Sequence, residues 1–389
     1  MKKSLLIYTT GRADYGLLKP LITSLYMNAE FNVRIAVTGS HLSKLHGYTI
    51  QNIIDDGFKV DYEIQTNLEL DSEHNTCCTI STGMSKFSNI LSSELPDLLI
   101  VLGDRYELFS ACIPALIHKV PIAHIHGGEV TAGAIDEAIR HSISKMASFH
   151  FPSIEMYAKR IIQMGENPEH VYPVGALGID NIKKLSLLSI SEISEITEMD
   201  FSKPIALLTY HPVTLESYNE AEKKITVILQ CLEHLKINTL ITMPNCDTGG
   251  LSIYNVIKSF SDKYPEMFKL YKNLGQINYL SSMKYANFMI GNSSSGIIES
   301  TSFSIPVINI GDRQKGRFKP ENIIDVQCNK TDILRAIERV RTKHFIDQIK
   351  KIENPYGNGK TAESIVAVLS ALCLKNKSRY LKKMFHDLM

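Results

Sequence analysis

The chain has 389 residues, 44% of them hydrophobic, with Lys+Arg 42 against Asp+Glu 41 for a net charge of +1. That length is long for one hydrophobic core and comfortable for two domains. The near-neutral balance leaves no electrostatic footprint for nucleic acid or an anionic membrane as partner, so any anion must be met by local groups.

The opening MKKSLLIYTTGR has too few apolar residues for a secretory h-region, and no later run approaches the roughly 20 residues of a membrane span. A cytoplasmic protein is expected. Seven cysteines, odd in number and without C-x-x-C spacing, read as reduced thiols with no zinc site.

In chain order, Ser4–Tyr8 reads as a buried strand, and the loop Thr9–Gly16 leads into a helical pattern over Leu17–Tyr26. The single early glycine does not make G-x-G-x-x-G, so a dinucleotide fingerprint is absent. Arg12 in that loop is either a capping arginine or a contact to phosphate or carboxylate at the sheet edge. Phe31–Val37 is the next strand, and alternation continues through Val60–Ile64 and Thr79–Leu95.

The stretch Val101–His141 is the most informative. The apolar run Leu98–Leu102 breaks at Gly103 into Asp104, Arg105 and Glu107 before a helical run over Leu108–Ile117. The strand Pro121–Ile125 ends likewise in His126, Gly127, Gly128 and Glu129, and Asp136 and Glu137 then open a helix carrying Arg140 and His141. Ligands of open α/β sheets bind at the carboxyl ends of the strands, which is where these polar groups fall. His124-x-His126 has the spacing of a metal pair on one strand face; His141 and His150 read as structural.

A strand at Val171–Val174 closes the first β/α series, and the Ser/Ile/Glu-rich stretch Ile182–Ser202 reads as a linker. A second series follows, with strands at Ile205–Tyr210, Thr239–Met243, Phe288–Ile290 and Val307–Ile310. Their polar ends are Tyr210-His211-Pro212, Pro244-Asn245-Cys246-Asp247, Gly291-Asn292-Ser293-Ser294-Ser295-Gly296 and Gly311-Asp312-Arg313-Gln314. The Gly291–Gly296 loop precedes a helix, so its N–H groups, hydroxyls and helix dipole suit a phosphate. Asn354–Thr361 fails as a P-loop because position 354 is asparagine, and it reads as a turn before a helix over Ala362–Leu374. Two Rossmann-like domains are expected, at 1–181 and 203–360, followed by a C-terminal helix in 361–389 whose Lys/Arg-rich tail reads as solvated or packed back on the first domain.

Gly103-Asp104-Arg105, His124-Ile125-His126-Gly127-Gly128-Glu129, Asp136 with Arg140-His141-Ser142, His211-Pro212, Gly291-Asn292-Ser293-Ser294 and Gly311-Asp312-Arg313-Gln314 together resemble the UDP-N-acetylglucosamine 2-epimerase family, in particular its hydrolysing branch. The resemblance runs from Arg12 to about Gly359. It implies an α/β fold of GT-B arrangement, two Rossmann-like domains with the active site in the cleft between them, a last helix in 361–389 that packs back on the first domain, and neither cofactor nor metal. It further implies elimination of UDP from UDP-N-acetylglucosamine to leave a 2-acetamidoglucal, then addition of water to release N-acetylmannosamine. The alternative substrate is UDP-N,N′-diacetylbacillosamine, with a non-hydrolysing epimerase and a GT-B glycosyltransferase as lesser alternatives.

By the same resemblance Asp104 and Asp136 are the acid/base carboxylates. Many members have glutamate where this chain has His126, and Glu129 is retained, so His126 and Glu129 are both candidates for the third acid or base. His211, Ser293, Ser294 and Arg313 suit the leaving pyrophosphate; Arg12, Arg105 and Asn245 are further substrate contacts, and Glu299 falls where the family holds sugar hydroxyls or ribose. The expected partner is a small UDP-sugar, and a homodimer or higher homo-oligomer is expected.

Overall fold

The computed structural model describes residues 2–44, 47–66, 72–132, 134–213, 218–244, 249–272 and 274–388. Two compact units emerge, one of Met1–Glu129, Asp136–Asn181 and Tyr356–Met389, the other of Val130–Ile135 and Ile182–Pro355.

The first unit is built on a parallel sheet of β1 (Lys3–Thr9), β2 (Phe31–Thr38), β3 (Tyr62–Ile64), β4 (Leu98–Leu102), β5 (Ile122–Ile125) and β6 (Phe149–Phe151), in the order β3-β2-β1-β4-β5-β6. Helices cover both faces, which is why β4 reads LLIVL with every residue buried. Strand order reverses between β1 and β4, which pair in register at Leu5↔Leu98, so the loops leaving those strands diverge and open a crevice at their carboxyl ends.

The first helix starts at Arg12, five residues before the apolar pattern, because Asp14 caps its first turn: the backbone N–H groups of Thr10 and Gly11 donate to its carboxylate at 2.7 and 2.8 Å. The helix Thr361–Ala371 packs on this first helix. Its own N-terminus is capped by the buried Asp180, whose two oxygens accept from the N–H groups of Thr361 and Ala362 at 2.9 and 2.7 Å. An anion position at the P-loop-like stretch is thus filled from within the chain.

The sequence reading of this unit changes at two strands. Val171–Val174 forms no strand, only a single bridge of Val171 to His150. β6 was not anticipated, its three residues being too short to show a period. The basic tail packs on this unit: Lys383 Nζ donates to Glu166 and to the carbonyls of Lys145 and Ala147, at 2.6, 2.7 and 2.6 Å, and the Phe385 ring lies against Gly165.

The second unit repeats the winding with β7 (Ile205–Thr209), β8 (Asn238–Thr242), β9 (Phe268–Tyr271), β10 (Phe288–Gly291), β11 (Val307–Ile310) and β12 (Ile323–Val326), ordered β12-β11-β10-β7-β8-β9. Its crevice lies between β7 and β10. The stretch expected as a linker instead holds a helix, Ile190–Thr197, with a capping box of Ser189 and Glu192; Ile193, Met199 and Phe201 join the core beside Ile205 and Leu207. Among the described residues no helix is long and apolar enough to cross a membrane.

Candidate active site

In the first unit the polar groups converge where β4 and β5 end. Asp104, with 22% of its side chain exposed, forms an ion pair with the buried Arg140 of the helix Asp136–Met146. Arg140 Nη1 also donates to the His126 carbonyl at 2.9 Å and lies 3.8 Å from Glu129 Oε2. Glu129 Oε1 is 2.8 Å from His126 Nδ1 and accepts from Ser153 Oγ at 3.3 Å. Asp136 is the first residue of the helix, half-buried and four before Arg140, which places it on the same helix face. One guanidinium thus organises three of the expected residues.

The turn before Asp104 is held by His124, whose Nε2 is 2.8 Å from the Gly103 carbonyl and whose Nδ1 is 3.1 Å from Ser144 Oγ. Burial pushes this imidazole down to about 3, outweighing the carbonyl that favours its charged form. With both nitrogens so engaged, His124 and His126 do not form the metal pair that their spacing suggested. Gly128 is required at its position: φ is +74°, and a Cβ there would lie 2.4 Å from the Tyr157 carbonyl. Arg105 makes two hydrogen bonds to the buried Glu107, at 3.2 and 3.1 Å. Arg12 is exposed at the start of its helix.

In the second unit Asn292 joins three strand ends. Its N–H donates to the Thr209 carbonyl at 3.1 Å, its side chain exchanges hydrogen bonds with the backbone of His211 at 2.7 and 2.8 Å, and its carbonyl accepts from Arg313 Nη1 and Gln314 Nε2 at 3.2 and 2.8 Å. His211, Arg313 and the Gly291–Ser294 loop are therefore pinned together. The close approach of β10 to β7 requires Gly291, with φ of +137° and a hypothetical Cβ 2.0 Å from the Thr209 carbonyl.

The helix after this loop is shorter than its sequence promised, Ser295–Ile298, with Ser294 at its N-cap, so hydroxyls and loop N–H groups rather than a long dipole supply the positive field. Tyr279 OH lies 2.6 Å from Ser295 Oγ, and burial, followed by the charge of Glu299, pushes the phenol up to about 12. Glu299 is half-buried at the end of the short helix. Asn245 lies outside the described residues.

A family model described as UDP-N-acetylglucosamine 2-epimerase matches residues 23–370. The chain belongs to the UDP-N-acetylglucosamine 2-epimerase family. A Campylobacter jejuni relative named GDP/UDP-N,N′-diacetylbacillosamine 2-epimerase (hydrolyzing) is 40% identical over 345 residues, 88% of this chain and 89% of that protein. A Legionella pneumophila relative named UDP-N,N′-diacetylbacillosamine 2-epimerase (hydrolyzing) is 34% identical, covering 96% of this chain and 97% of its own. Polysialic acid biosynthesis protein P7 of Escherichia coli is 36% identical, covering 100% and 98%. A Staphylococcus aureus MnaA structure with UDP superposes with a TM-score of 0.80 over 100% of both chains at 18% identity. The fold is thus the two-domain α/β fold of GT-B type, and the family makes the chain an enzyme.

In this 2-epimerase the sequence reading passed over several residues that shape the site. Arg140 was visible as a member of a motif, four residues from Asp136, yet its pairing with Asp104 depends on a contact across 36 positions. Asn292 stood inside a quoted motif with nothing local to mark it as the junction of three strands. Tyr279, on the helix Gln276–Tyr285, carried no signal.

Proposed function

We propose that the chain is a hydrolysing UDP-N,N′-diacetylbacillosamine 2-epimerase, converting the UDP-sugar and water to UDP and the free 2-epimeric sugar. The observation that carries this substrate is the naming of relatives 40% and 34% identical over nearly their whole lengths for that sugar. UDP-N-acetylglucosamine, favoured by the sequence reading, is the second substrate reading; the description of the family model and the relative named for polysialic acid support it. A cytoplasmic, homo-oligomeric enzyme is part of the proposal.

In this reading UDP leaves C1 as a C2 proton is removed, giving a glycal; water then adds at C1 and a proton returns to C2 on the other face. No carbonyl acidifies that C2 proton, so charge on the departing pyrophosphate must be stabilised as the C1–O bond breaks. The cluster of His211, Ser293, Ser294 and Arg313 around Asn292 suits that task, with Arg12, Arg105, Asn245 and Glu299 as further substrate contacts. Asp104 and Asp136, with the His126/Glu129 pair, serve the proton transfers.

The test is to incubate the enzyme in D2O with the diacetylbacillosamine and N-acetylglucosamine nucleotides, the former as both UDP and GDP derivatives, without any acceptor. The expected result is free UDP, about one deuterium at an inverted C2, and at least tenfold higher kcat/KM for UDP-N,N′-diacetylbacillosamine. Protium at C2 or an uninverted centre sinks the epimerase reading; a preference for UDP-N-acetylglucosamine or the GDP-sugar sinks only this substrate.

A further inference from the structure

We infer that His126 Nε2 is the base that takes the C2 proton, and that Glu129 is its positioning residue; the inference rests on the 2-epimerase reading above. His126 has φ of +63°, a conformation that a residue with a side chain keeps only when its surroundings hold it. They do so at three points. Its N–H donates to the Phe151 carbonyl at 3.0 Å, its carbonyl accepts from Arg140, and its Nδ1 is 2.8 Å from Glu129 Oε1.

That last contact sets the tautomer. A carboxylate only accepts, so the hydrogen of this contact sits on Nδ1, and the neutral ring then carries its lone pair on Nε2. His126 is 5% exposed, and its Nε2 is buried with no partner among the described residues. Most buried polar atoms are paired, and one left open at the end of a central strand, on a ring fixed from the other side, is placed to receive a proton from a ligand. Glu129 is the poorer candidate. It is 2% exposed, and its oxygens face His126, Ser153 and Arg140.

The C2–H bond breaks, its proton passes to Nε2, and its electron pair forms the C1=C2 bond as the C1–O bond breaks and UDP departs with the electron pair of that C1–O bond. The imidazolium, stabilised by Glu129, then yields its proton to solvent. In the hydration, hydroxide from water stays on C1 and the second proton of that water reaches C2 through a carboxyl group on the other face. The charged groups around the imidazole are Glu129 on its own loop, Arg140 from the helix Asp136–Met146 and Asp104 after β4 through Arg140, and the one further titratable group named against it is His124 on β5, which burial keeps neutral.

The test uses His126→Gly, which suits a positive φ, alongside His126→Glu and Glu129→Gln. His126→Gly should keep UDP affinity within about twofold while kcat falls about 10³-fold, with activity restored by imidazole in the buffer. His126→Glu, with a carboxylate in place of the imidazole as the base, should move the acidic limb of the kcat profile to lower pH. Glu129→Gln should lower kcat about 10²-fold with KM unchanged and shift the same limb. A His126→Gly enzyme that keeps a tenth of the activity or ignores imidazole, or a limb unmoved in His126→Glu, overturns the inference. If wild type releases no UDP from any of the sugar nucleotides, the 2-epimerase reading itself has failed.

Discussion

Replacing His124 with asparagine probes how the Asp104 turn is held, and pH gives the effect a sign. His124 is fully buried on β5, with Nε2 at 2.8 Å from the Gly103 carbonyl and Nδ1 at 3.1 Å from Ser144 Oγ. Burial holds its pKa at about 3, below the ordinary 6.5. The unfolded chain therefore takes up this proton first, so the contribution of His124 to stability is complete above about pH 6.5 and is lost as pH falls towards 3. At pH 5 the loss amounts to about 2 kcal/mol. At pH 7.5 the variant should be weaker by about 2–3 kcal/mol, through a smaller side chain and a Gly103 carbonyl left short of a donor. At pH 5 that gap should narrow by about 2 kcal/mol, because asparagine does not titrate. Urea unfolding followed by far-UV circular dichroism measures both, the chain having no tryptophan. Turnover should fall roughly 10–100-fold as Asp104 loses its position. A gap that is the same at both pH values would refute this account of the buried imidazole.

Asp104→Asn and Asp136→Asn should fold, bind UDP within a few-fold of wild type by calorimetry, and lose at least about 10²-fold in turnover; unchanged turnover in both would remove the carboxylates from the mechanism. Arg313→Ala and His211→Ala should each weaken UDP binding about tenfold or slow UDP departure to a similar extent, and neither effect appearing would misplace the anion site. Asn292→Ala should do both and also cost about 2 kcal/mol in urea unfolding, since it leaves the His211 N–H and carbonyl without their partners. Glu166 is the counter-case to His124. Burial would raise its pKa, but hydrogen bonds from His150, Lys145 and Lys383 outweigh that and hold it at about 2. Its contribution is therefore present above about pH 4.5 and lost as pH falls towards 2. Glu166→Gln should destabilise by about 3 kcal/mol at pH 7, with the difference from wild type shrinking below pH 4.5.

Much of the fold was legible because parallel strands covered on both faces are written as unbroken apolar runs, as at Leu98–Leu102 and Ile205–Leu208. Where that signal thins, the reading failed. β6, β9 and β12 have only three or four residues, and β12 carries just half-buried and exposed positions, so nothing local marks them as sheet. The supposed linker misled for the opposite reason. Its serines and glutamates looked like loop composition, although Ser189 and Glu192 are three apart and form a capping box, a helix signal visible in the residues themselves.

The candidate site shows a sharper division. Which residue types gather at the ends of β4, β5, β7, β10 and β11 could be read locally, because each apolar run breaks into polar residues there. Which of them is left with a free atom could not. His126 and Glu129 stand three positions apart and are equally plausible as a base on paper. What separates them is Arg140, fourteen residues after His126, together with Ser153 and Phe151 from the end of the neighbouring strand; these engage the carboxylate of Glu129 and the backbone of His126. Asn292 repeats the lesson in the second unit, since its value lies in the backbone of His211, 81 positions away. Hydrogen-bond capacity is a local property of a residue, but the capacity remaining after folding is set by contacts distant in sequence. Chemistry uses that remainder, and on this ground the proton transfer falls to His126 Nε2 rather than to the carboxylate beside it.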